Sequence, residues 1–183
     1  TALAALSTAQ LQAISTTEIA ALSTTQLGAL STAQVGTLTT AQVGALTAAQ
    51  VGTVAAQLST TQVGFLVAAQ ASGLTTTVIG TLTTAQLQAL STHEIAALTS
   101  TQVGALGTTF TTRQIAALTT AQASGLSTTT LAGLSNAQLQ ALSNAELAAL
   151  STTQVGALTT TQAAALSTTQ VAALTAAEVG TLA

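Results

Sequence analysis

From Ser7 to Leu182 the chain repeats one eight-residue phrase, Ser/Thr-x-x-Gln/Glu-aliphatic-small-x-aliphatic, in 21 copies interrupted only at 55–58 and 107–110. A unit of eight residues cannot enclose a core of its own. Each copy has to bury its apolar side chains against its neighbours, so the chain is expected to behave as a quasi-one-dimensional array. Position eight is aliphatic in every copy, from Ile14, Leu22 and Leu30 through to Leu182. Position five is Leu, Ile or Val in 18 of 21 copies, with Ala71, Ala123 and Ala163 as the exceptions. Two apolar columns therefore run along the molecule.

The polar positions are as regular. Position one is Ser or Thr except at Val67, and position four is Gln or Glu except at Val78 and Thr130. A hydroxyl followed three residues later by a long carboxamide or carboxylate is a capping box: the hydroxyl accepts from the N3 backbone N–H, and the long side chain reaches back to the N-cap N–H. Each octad thus announces a helix start. One continuous helix does not fit, because eight residues at ~3.6 per turn overshoot two turns by roughly 80° and carry any apolar stripe around the cylinder. The expected fold is all-α: a solenoid of short capped helices, one per octad. Position six is small in 18 of 21 copies, as at Gly28, Gly36, Gly44, Gly52, Ala20 and Ser72, which is expected to let stacked backbones approach closely. Gln12, Gln88 and Gln140 are the exceptions.

The alternative is a β-solenoid, since Thr and Val favour strands. It would turn positions three, five and seven inward. His93 and Arg113 occupy position three, and burying them without partners would cost several kcal/mol, on the order of the penalty for any unpaired polar group. In the helical reading the same position is N2 and faces solvent.

The inserts Ala55-Ala56-Gln57-Leu58 and Gly107-Thr108-Thr109-Phe110 each follow six octads, and nine octads come after the second. Six and nine share the factor three. The working hypothesis is a coil of three octads, or 24 residues, with every insert at the same corner. Phe65 and Phe110, the only aromatic residues, are expected to plug the gaps there. Residues 1–183 then read as a single continuous array. Thr1 to Leu6 fit the last six positions of a copy, so the array is expected to be a segment of a longer chain.

Charge narrows the function. Charged residues make up 3% of the chain and Arg113 is the only strong base, so a nucleic-acid partner, which needs several phosphate contacts, is excluded. No window approaches the ~18 consecutive apolar residues of a membrane-spanning helix. Without Cys there is neither a disulfide nor a thiolate metal site. His93 is the only His, Asp and Lys are absent, and Glu18, Glu94, Glu146 and Glu178 all sit at position four, where Gln performs the same capping. The many hydroxyls have no base to activate them. The expectation is no enzyme, with no catalytic, cofactor-binding or metal residue and no cofactor.

Over essentially its whole length the octad pattern resembles the Ser/Thr-Thr-Ala-Gln-Val-x-Ala-Leu repeats of very large secreted bacterial surface proteins, often labelled adhesin-like. The resemblance implies an extracellular or cell-surface filament, stalk or coat, exported by a dedicated secretion system and used in attachment or biofilm matrix. It supplies no residue-level binding site. Elementary physics leads the same way, because a repeat face without a polar cap stacks on another and a nearly uncharged surface does not oppose packing. The expected partner is the protein itself, with a cell surface or matrix polysaccharide as a further one. A reading from a different class is a lattice for ice or polysaccharide, built on position two at Thr8, Thr16, Thr24, Thr32 and Thr40. Ala48 and Asn136 interrupt that lattice.

Overall fold

The computed structural model describes residues 2–182, which form short helices and, among the described residues, no strand. The capping boxes set the helix starts. At the helix Thr40–Gly44, Thr39 is extended (φ −68°, ψ 157°). Its hydroxyl accepts from the Gln42 N–H at 3.2 Å, and the Gln42 side-chain oxygen accepts from the Thr39 N–H at 2.9 Å. The same reciprocal pair opens helices from Thr8–Ala13 to Ala176–Val179. At Val67 the hydroxyl is missing. The Val67 N–H still donates to Gln70, but Ala68–Gly73 winds as a 3-10 helix instead of an α-helix.

The helices stop because position eight turns extended. Leu22 (φ −66°, ψ 142°) and the next N-cap, Ser23 (φ −72°, ψ 156°), together form a corner. Such a corner needs no left-handed residue, and among the described residues only Gly107 (φ 61°) has a positive φ. Positions five and eight point inward. Leu11, Ile19, Leu27, Val35 and Val43 are fully buried, as are Leu131, Leu139, Leu147 and Val155. His93 and Arg113 are exposed, as N2 residues should be.

The described residues form two compact units that divide between Ala97 and Leu98. In the first, Thr16–Ala21 packs on Thr40–Gly44 and Thr24–Gly28 on Ala48–Val54; in the second, Asn136–Gln140 packs on Thr160–Ala165 and Thr152–Val155 on Ala176–Val179. Each helix lies against the one three elements later. Three octads make a coil, as the insert spacing suggests.

The inserts themselves do not behave as expected, for they are not additions at a fixed corner. The first is a whole side: its 3-10 turn Ala55–Gln57 packs on Thr32–Gly36 in place of an octad. Thr40–Gly44 then packs on Thr60–Val63, and Ala48–Val54 on Ala68–Gly73. The cause is local. Val54, at position eight, stays helical (φ −111°, ψ −2°), so the chain winds on without making its corner.

This shortened coil draws backbones together. A Cβ on Gly52 would come within 2.7 Å of the Gly73 carbonyl oxygen, and one on Gly73 would overlap the carbonyl of Ala48. Elsewhere the small residue at position six has a different standing, since a Cβ on Gly36 or Gly44 would meet nothing within 4 Å. Close approach is therefore not a property of every octad. The two aromatics also part company: Phe110 is buried and fills the side made by the second insert, whereas Phe65 is 56% exposed and plugs nothing.

Candidate functional site

The face by which one coil meets the next is the feature every octad helps to build. Position four, read from the sequence as a cap, carries a second task there. The amide of Gln42 caps Thr39 with its oxygen and donates with its nitrogen to the carbonyls of Leu11 (2.8 Å) and Ile14 (2.7 Å). Gln162 does the same to Leu131 (2.8 Å) and Leu134 (2.8 Å). Across the first insert the pairing survives, with Gln62 on Val35 and Leu38 and Gln70 on Val43 and Leu46. The acceptor follows from the corner. An extended residue at position eight has no helical donor for its carbonyl, and a buried carbonyl without a partner is costly. The neighbouring coil supplies the donor. Gln42, Gln62 and Gln162 are each buried, so these bonds are shielded from water.

The position-six exceptions Gln12 and Gln140 extend this ladder at its edge. The Gln12 side-chain nitrogen donates to the Thr37 carbonyl at 2.9 Å, and Gln140 donates to Ala165. The two octads without Gln or Glu at position four also find an explanation. Thr130 stands four sides after the octad ending at Leu106, which is helical (φ −68°, ψ −20°) and runs into the second insert. The Leu106 carbonyl already accepts from the Thr109 N–H and hydroxyl. Val78 stands in the same relation to Val54, the helical residue before the first insert. Neither position has an extended corner beneath it to satisfy.

The glutamates share the cap and lack the second donor. Glu94, Glu146 and Glu178 are buried, and each accepts from its N-cap N–H, at 2.8 Å from Ser91, 2.6 Å from Ser143 and 2.7 Å from Thr175. Glu18 is exposed, and the Ser15 hydroxyl followed by the Ser15 backbone N–H holds its carboxyl below the usual range. His93 is exposed beside the buried Glu94, on a different face of the helix Thr92–Ala97. Among the described residues no group of three His, Cys, Asp or Glu side chains comes together to hold a metal, and no helix is long and apolar enough to cross a membrane. Chemically, the face is equipped to bind another face of its own kind. Sequence reasoning missed the ladder, yet a signal for it is present: position four is Gln in 15 copies and Glu in four, although the helix dipole would favour Glu at N3.

Fold and face together define a class, the helical repeat proteins whose coils are joined by side-chain amides. The ALTTAQ repeat family model matches residues 1–32, 24–55, 79–108 and 131–168, more than half of the chain, and the chain belongs to that family. Ala117-Leu118-Thr119-Thr120-Ala121-Gln122 spells the motif in full. It runs from a corner residue at position eight through the N-cap to the amide that caps it. No curated protein matches the chain.

Proposed function

We propose that the chain is a structural protein of the cell surface or extracellular matrix, assembling end to end or side by side into a filament, stalk or coat used in attachment or biofilm. One observation carries this reading: the coil face is complementary to itself. Among the described residues, the side-chain nitrogens of Gln10 and Gln26 donate to nothing, while the carbonyls of Leu158, Leu166 and Leu174 accept from nothing. Val171 and Val179, at position five, are 37% and 41% exposed, where their counterparts within the stack are buried. Such faces suit a further coil of the same repeat, from this chain or from another. The sides carry Thr, Ser and Ala with almost no charge, so electrostatic repulsion does not keep copies apart. Partners beyond self would be a surface or a matrix polysaccharide met by these neutral hydroxyl-bearing sides.

Sedimentation velocity over a concentration series, read with electron microscopy of the same samples, tests the proposal. The expected result is concentration-dependent assembly into elongated particles. A monomer at every concentration would contradict self-association. If that monomer were retained on ice or on polysaccharide, the lattice reading based on position two would replace it.

A further inference from the structure

We propose that the buried glutamates Glu94, Glu146 and Glu178 are built-in yielding joints, where coils part before the glutamine-joined coils of the same unit. Each occupies position four, and each is at least nine-tenths buried, with exposures of 2%, 6% and 5%. In each, Oε2 accepts the N-cap N–H just as a glutamine Oε1 does. The other oxygen therefore takes the place of the amide nitrogen. It makes no hydrogen bond, and the corner carbonyls that the octad register sets against it, those of Leu66, Leu118 and Leu150, accept none. At a glutamine joint such as Gln162 on Leu134 a donor meets an acceptor. At a glutamate joint two acceptors meet, so an attraction is exchanged for a repulsion and the corner carbonyl is left without its donor. The charged side chains nearby offer no relief, because His93 and Arg113 are exposed and the helices packed on Glu94, Glu146 and Glu178 carry no cation. Glu18 has the same capping box in an exposed setting, where none of these penalties applies.

Native-state hydrogen exchange on the full chain reads the joints directly. The amides of Ile95, Leu147 and Val155 each donate to the N-cap carbonyl four residues earlier, so their intrinsic protection is alike and differences report opening of the coil. Ile95 and Leu147 are expected to exchange about ten-fold faster than Val155, whose octad is joined by Gln154. Glu146→Gln should slow Leu147 by about ten-fold, and Gln154→Glu should speed Val155 by a similar factor. Glu18→Gln should leave all three amides unchanged. Equal protection at the three sites, together with no effect of Glu146→Gln, would overturn the proposal. Should Gln154→Glu fail to fold, Glu146→Gln carries the decision alone, since it only adds a donor.

Discussion

The side-chain nitrogen of Gln42 stands 2.7 Å from the carbonyl oxygen of Ile14, a residue 28 positions earlier in the chain. One amide closes a helix start and a helix end at once: it caps its own octad and satisfies the corner of an octad in the preceding coil. The repeat is therefore stitched locally and non-locally by the same residue.

Gln42→Glu keeps the cap and removes the donor to Leu11 and Ile14. The Leu11 carbonyl keeps its bond from the Ile14 N–H, so the Ile14 carbonyl is the one left unpaired, at an expected cost of about 1–3 kcal/mol, seen as a lower denaturant midpoint. Gln10→Glu, where the side-chain nitrogen donates to nothing among the described residues, should stay within about 0.5 kcal/mol of the parent chain. Equal losses at both positions would mean that the non-local bond contributes nothing.

Glycines in the shortened coil and in an ordinary octad should separate on substitution. Gly73→Ala forces a Cβ onto the Ala48 carbonyl in the shortened coil and is expected to destabilise by more than about 2 kcal/mol, in the range of severe overpacking. Gly36→Ala meets open space and should stabilise by up to about 1 kcal/mol through helix propensity. Thermal unfolding of the two variants distinguishes them by sign.

Val67 is the one octad start without a hydroxyl, and it is 46% exposed. Val67→Thr restores the acceptor for the backbone N–H of Gln70 at little loss of buried area, so a gain of about 0.5–1 kcal/mol is expected. The same unfolding measurement reads it, and a loss of stability would show that the 3-10 form of Ala68–Gly73 is set by the shortened coil and not by the missing cap.

Acid acts on Glu18 in a defined direction. Its carboxyl is held below the ordinary range chiefly by the Ser15 hydroxyl and then by the Ser15 N–H. The folded chain therefore binds this proton less readily than the unfolded one. The contribution to stability is present above the ordinary glutamate range and is lost as pH falls through the lowered folded value. An NMR titration of Glu18 should show it ionising at lower pH than a glutamate in an unstructured peptide. Ser15→Ala should move it back up, and no movement would remove the hydroxyl as the main cause.

What can be read from the sequence is what is local. The capping pairs at Thr39 and Gln42, or at Ser151 and Gln154, lie three residues apart, and the apolar columns at positions five and eight recur in octad after octad. Those signals suffice for short helices; three octads to a coil agrees with the insert spacing, although the inserts do not share the fixed corner that such spacing implies. The ladder is not legible in the same way, because the link from Gln42 to Ile14 joins residues whose proximity exists only once the coil has formed. The inserts escape sequence reasoning for a related reason. A helical Val54 instead of an extended one turns four residues into a full side; Val54 is the one Val at position eight, but Leu106, which stays helical before the second insert, is a Leu like its counterparts. Phe65 reads as a plug because it is aromatic and near the first insert, yet position seven faces out in its octad and takes Phe with it.

The most direct test of the coil is a nuclear Overhauser measurement on the side-chain amide protons of Gln42 in the folded, isotopically labelled chain. Cross-peaks to Leu11 and Ile14, with slowed exchange of the amide protons, are the predicted result. Cross-peaks to residues at another spacing, or an amide that exchanges as freely as in an unfolded peptide, would contradict the three-octad coil and the ladder that joins it.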